Sequence, residues 1–135
     1  MRLACPPHTS PARRTLAIAF PSPHFSLVRV STQTDSCNIA TVMFGMHEMP
    51  GDARRRVLRN ALRIARDKVL VVDIWPGFTP SPMMLSGEPF ILDYLKNIEG
   101  DVDSAAAEYE WEVTRIDVVD EHVRMWRFER LDWGI

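Results

Sequence analysis

Apolar residues in this chain fall into runs whose period changes from one segment to the next. Asn38–Met46 reads NIATVMFGM, a nearly continuous apolar and β-branched stretch. That pattern suits a strand buried on both faces, as in a parallel sheet. Pro50 and Gly51 break it, and Asp52 is placed to cap a helix by accepting a backbone N–H bond. Over Asp52–Arg66, Val57, Leu58, Ala61, Leu62 and Ala65 recur on one face at helical spacing, while Arg54, Arg55, Arg56, Arg59, Arg63 and Arg66 fill most of the remainder. Lys68–Ile74, KVLVVDI, is a second strand of the buried type. Strand, helix and strand with short connections predict a βαβ unit with a right-handed crossover.

A Pro-stiffened loop follows over Trp75–Ser86, with Pro76, Pro80 and Pro82. Glu88–Ile98 carries a helical stripe of Phe90, Ile91, Tyr94, Leu95 and Ile98, and Gly100 is expected to end it; Ser104–Glu108 reads as helical or irregular. Glu110–Val119 and Val123–Phe128 then alternate apolar and polar around a turn at Asp120, Glu121 and His122, which predicts an antiparallel hairpin. A weaker alternation over Phe25–Ser31 suggests a short strand. The sum is an α/β fold, a mixed sheet with an antiparallel member at one side.

Composition narrows the setting. A chain of 135 residues, 46% apolar and 25% charged, fits one globular domain. A net charge of −2 gives no general pull toward nucleic acid or anionic membranes. No apolar run approaches the roughly 20 residues of a membrane helix. Cys5 and Cys37 are too few for a disulfide framework, so a reducing cytoplasmic setting is the default. The charge is uneven: no acidic residue precedes Asp35, whereas Arg2, Arg13, Arg14 and Arg29 do. An acid-poor segment over residues 1–23 resembles an organellar transit peptide. Pro6, Pro7, Pro11, Pro21 and Pro23 block a long amphipathic helix there. The other readings are a disordered tail, or foreign sequence joined to a truncated domain spanning residues 24–135.

The stretch ATVMFGMHEMPGDARRRVLRNALRIARDKVLVVDIWP resembles the second half of a class I S-adenosylmethionine-dependent methyltransferase domain. In that family a strand ends in a short loop, often with His or Glu before Pro, and an Arg-rich helix leads to a strand closing on Asp. The terminal hairpin fits as well, since the family's seventh strand runs antiparallel beside the sixth. The resemblance covers Asp35–Arg130 and implies a partial Rossmann-like sheet holding strands four to seven. It implies S-adenosylmethionine as cofactor and a small-molecule or protein methyl acceptor as partner. It places the cofactor against Phe44, Gly45 and Met46, with Asp35 the only acid near the approach to the fourth strand; Cys37 and Asn38 stand where the family has Asp.

The departures are specific. The family's first strand leads into a glycine-rich turn, whose backbone N–H groups approach the cofactor unobstructed; here no glycine precedes Gly45. The family's ribose-binding acid at the end of the second strand also has no counterpart. Losing two hydrogen bonds to such a carboxylate costs about 3–6 kcal/mol, or roughly 100- to 10,000-fold in affinity. Binding of the cofactor by this chain alone is therefore expected to be weak.

His47 and Glu48 follow the first strand, at the carboxyl edge where open α/β sheets bind ligands. His47 reads as a general base or substrate contact with Glu48 orienting it or the substrate; the alternative is a loop pair that packs locally and caps the next helix. No metal-ligand set is visible. The resemblance places Asp73 and Trp75 on the substrate side, although Asp73 also suits a turn cap and Trp75 a core cover. Glu88 and Tyr94, with Ser86 and Gly87, suit a substrate lid or simply a helix N-terminus. The arginines read as a solvated helix face, and Trp111, Trp126, Trp133 and Met125 as hairpin packing.

Without the family's first strand, Asn38–Met46 becomes a sheet edge or pairs with a leader segment such as Phe25–Ser31. Val42 and Phe44 would then lose cover at up to about 1.5–3 kcal/mol each, and the open edge would favour self-association. Two functional classes remain: a methyltransferase, or a non-catalytic remnant serving as an interaction module, an incomplete gene product included.

Overall fold

A computed structural model of the chain describes residues 34–131 and the backbone of residues 15–18. Its elements are β1 (Thr15–Ile18), β2 (Cys37–Met43), α1 (Gly51–Ile64), β3 (Ala65–Ile74), α2 (Pro82–Gly87), α3 (Ile91–Tyr109), β4 (Trp111–Val119) and β5 (Val123–Arg130), with a single 3-10 turn at Met46–Glu48. The five strands form one sheet in the order β1-β2-β3-β5-β4. The pairs β1–β2 and β2–β3 are parallel, whereas β3–β5 and β4–β5 are antiparallel. The βαβ unit and the terminal hairpin are thus both present, in an α/β sheet with an antiparallel edge.

The parallel strands are buried because one alternating set of side chains meets the helices. Ala40, Val42, Val69, Val71, Trp126 and Phe128 join Leu58, Ala61, Leu62 and Ile64 of α1 and Tyr94, Ile98, Val102 and Ala106 of α3 in one core. The other set, Ile39, Leu70, Val72, Ile116 and Met125, is half-buried, and Met43 and Val118 are exposed.

Several boundaries differ from the sequence reading, each for a physical reason. β2 stops at Met43 because Phe44 turns to φ 51°, so Gly45 and Met46 leave the strand. Val42 keeps its cover, fully buried against the helix layer, while Phe44 is exposed. The parallel neighbour of β2 is Thr15–Ile18. This strand lies within the stretch read as a leader, so the sheet reaches into that segment; Phe25–Ser31 lies outside the described residues. Helix α1 begins at Gly51 with Pro50 as N-cap, the Arg54 amide donating to the Pro50 carbonyl at 3.0 Å. Asp52 therefore sits inside the first turn instead of capping it.

Helix α3 runs through Gly100 to Tyr109. Its buried stripe of Ile91, Tyr94 and Ile98 continues in Val102, Ala105 and Ala106. That continued burial outweighs the roughly 0.5–1 kcal/mol that a helical glycine costs. The helix ends at Glu110, whose left-handed conformation returns its amide to the Ala106 and Ala107 carbonyls. α2 falls in what the sequence presented as a loop, started by the Ser81 hydroxyl accepting from the Met84 amide.

Arg54 corrects the reading of α1 as carrying only solvated arginines. It is fully buried, with Nε donating to Asp101 and Nη2 to Asp93, both at 2.8 Å. Its Nη1 reaches the Met49 carbonyl at 3.4 Å. One side chain thereby ties α1 to α3 and to the turn before it.

Candidate active site

The carboxyl ends of β2 and β3 lie side by side because the strands are parallel and in register, Met43 opposite Val72. The chain leaving β2 turns at once into Met46–Glu48, which sets His47 beside Asp73 near the end of β3. Asp73 is fully buried. Its Oδ2 accepts the amides of Met46 at 2.8 Å and His47 at 3.3 Å, and its Oδ1 accepts the Ile74 amide at 2.7 Å. Oδ1 also meets His47 Nδ1 at 2.6 Å. Both Asp73 oxygens already accept backbone amides, which assigns the shared proton to Nδ1 and leaves Nε2 as the ring's open nitrogen.

Nε2 faces Glu88, whose Oε2 lies 3.4 Å away. That oxygen is buried and has no hydrogen-bond partner. Tyr94 closes the floor: its ring meets the imidazole edge-on at a centroid distance of 6.1 Å, and its hydroxyl donates to the Ile74 carbonyl at 2.5 Å. Burial pulls the His47 pKa down. The hydrogen bond and charge of Asp73, then the charges of Glu88 and Glu48, outweigh that and leave it above the ordinary 6.5. The Tyr94 hydroxyl is pushed well above the usual phenol range by burial first and by the charges of Asp73 and Glu99 second.

The structure thus assembles His47, Asp73, Glu88 and Tyr94, and separates the other candidates from them. Glu48 is exposed and adds only charge, so the residue that orients His47 is Asp73. Asp73 is enclosed and its oxygens are filled by the chain itself, which removes it from direct substrate contact. Tyr94 is buried in the core and is floor, not lid. Trp75 is half-buried: its amide donates to His122 at 2.9 Å, and its ring lies so close to Gly77 that an added Cβ would fall 2.3 Å from it. Asp35 precedes β2, at the opposite end of the sheet, where its carboxylate pairs with Arg130. With about 3.3 Å per strand residue, the length of β2 separates it from His47, so it cannot serve the same rim. Phe44, Gly45 and Met46 do form the tip of β2, but the Phe44 amide is donated to the Val72 carbonyl at 2.8 Å and the Met46 amide to Asp73.

The part played by Asp73 was marked in the sequence by alternation. It continues the inward set of Val69 and Val71, so a buried carboxylate was due at that position. Arg54 carried a similar mark, falling four residues before Leu58 and seven before Ala61 on the apolar stripe.

The sequence matches no family model, and no curated protein matches it significantly. Solved structures do. The chain superposes on a mitomycin 7-O-methyltransferase with a TM-score of 0.50 at 17% identity, covering 73% of this chain and 31% of that one. An O-methyltransferase family protein from Burkholderia thailandensis gives 0.49 at 12% identity over 73% and 32%. Magnesium protoporphyrin IX methyltransferase from Synechocystis PCC 6803, solved with bound SAH, gives 0.47 at 9% identity over 70% and 45%. The chain therefore spans between about a third and a half of the length of these proteins. The fold is methyltransferase-like.

That fold implies S-adenosylmethionine, and the rim tests whether the described residues suit it. The amides of Phe44, Met46 and His47 are already donated within the chain, Asp73 is filled, and Asp35 lies at the far end. By themselves the described residues do not make a cradle for the cofactor. Among them, no helix is long and apolar enough to cross a membrane.

Proposed function

We propose that this chain is an S-adenosylmethionine-dependent methyltransferase by descent that supplies the acceptor side of a methyl-transfer site, with His47 as its general base. The observation that carries the reading is the Asp73–His47 pair at the carboxyl rim of a methyltransferase-like sheet. Asp73 fixes the ring and keeps the Nδ1 proton. Nε2 is then the atom that would take the proton of an O–H, N–H or S–H acceptor, while S-adenosylmethionine, when bound, would supply the methyl group and leave as S-adenosylhomocysteine. A base whose pKa is raised becomes fully available only as pH rises through that value, so turnover should climb over the same interval.

A second reading, a non-catalytic methyltransferase-like module, is favoured by the rim amides being consumed within the chain. Calorimetric titration of the full chain with S-adenosylmethionine separates the two. A saturable heat, weak but present up to millimolar ligand and unchanged in His47→Gln, supports the enzyme. No heat at millimolar ligand contradicts an enzyme active as this chain stands.

A further inference from the structure

The connection between β3 and α3 is fixed at both ends and lightly held between them. Trp75 is tied by its amide to His122, and the Phe90 carbonyl accepts the Tyr94 amide at 2.9 Å. Between these points α2 has no buried residue, and Met83 and Leu85 are exposed. Its hydrogen bonds are internal: the Leu85 amide to Ser81, the Glu88 amide to Met84 and the Ser86 hydroxyl to Met83. What joins its end to the rim is Glu88, as a charge facing His47 Nε2 at 3.4 Å without a hydrogen bond.

We infer that Glu88 latches the Trp75–Phe90 connection over His47 and releases it when the imidazole loses its proton. Every element around the ring bears on this. From β3, Asp73 retains the Nδ1 proton, so the proton that leaves is the one on Nε2. From its own turn, Glu48 adds negative charge. From α3, the Tyr94 hydroxyl is committed to Ile74; from α1, Arg54 is held by Asp93, Asp101 and the Met49 carbonyl and is not among the charges that act on His47. Once Nε2 is neutral it presents a lone pair to a carboxylate oxygen that has no other partner. A buried polar atom left so is unfavourable by roughly 1–3 kcal/mol. Because α2 has no fully buried residue, Met84 alone being half-buried, swinging outward sacrifices little packing. The same deprotonation that makes His47 a base would therefore uncover it.

The inference rests on the reading of His47 as the rim base, but it is measured without cofactor or acceptor, so the two can fail separately. In NMR titrations of the full chain between about pH 6 and 9, the His47 ring protons and the Met84 methyl should share one midpoint above 6.5. In Glu88→Gln the methyl should lose that titration, and the His47 midpoint should fall below its wild-type position. A Met84 methyl that stays flat while wild-type His47 titrates, or that titrates unchanged in Glu88→Gln, overturns the latch. In both cases the His47 curve still reports on the base.

Discussion

Among the described residues, two buried basic side chains, Arg54 and His47, meet carboxylates, and they do so differently. Arg54 has a partner for Nε, Nη1 and Nη2, drawn from α3 and from the turn preceding α1. Each of its three nitrogens is engaged, and the side chain joins α1 to α3. His47 is satisfied on one ring nitrogen by Asp73, while the other faces a carboxylate oxygen with no hydrogen bond. A completed network is how a fold secures its own geometry. A polar group held rigidly on one side and left unsaturated on the other, at a sheet rim, is how a fold presents a reactive atom.

The contrast can be broken by substitution. Removing Arg54 as Arg54→Met leaves Asp101, which is nearly enclosed, with only the Arg55 guanidinium at 3.7 Å, and should destabilise the chain by about 3–5 kcal/mol in denaturant titrations. Asp73→Asn keeps the shape but forfeits charge-assisted acceptance of the His47 ring proton, with an expected loss of about 1.5–3 kcal/mol by the same measurement. His47→Gln should cost only about 1 kcal/mol while abolishing any proton-dependent activity. An Arg54 variant milder than the His47 variant would reverse the assignment of roles.

The pH dependence sharpens the same point. Because the folded pKa of His47 lies above its ordinary 6.5, its contribution to stability is complete below that value. It is lost as pH rises through the raised folded pKa. Unfolding curves of wild type should therefore weaken over that interval, and those of His47→Gln should not. Smallest of all, Gly100→Ala within α3 meets nothing within 4 Å and should stabilise by about 0.5–1 kcal/mol.

Much of the scaffold could be read from residue order. The apolar runs Asn38–Met46 and Lys68–Ile74 and the alternation on both sides of Asp120–His122 determine strand burial and pairing almost unaided, although the first strand stops at Met43. The errors have a common origin in tertiary satisfaction. Gly100 reads as a stop until Val102 and Ala105 are seen to extend the buried stripe, and Arg54 reads as solvated until Asp93 and Asp101 arrive from a helix about forty residues later. Of the site, His47 was legible from its position past a strand. Glu48 was the nearest acid in sequence, yet the orienting acid was Asp73, brought beside it by parallel pairing. The facing position of Glu88 depends on the path of a Pro-rich connection, which no local period encodes.

The pairing of Asp73 with His47 is tested most directly by NMR titration of the His47 ring in wild type and in Asp73→Asn. The expected result is a wild-type midpoint above 6.5 that drops on substitution, since the largest raising influences come from Asp73. A wild-type midpoint at or below 6.5, or one that does not move in Asp73→Asn, would contradict it.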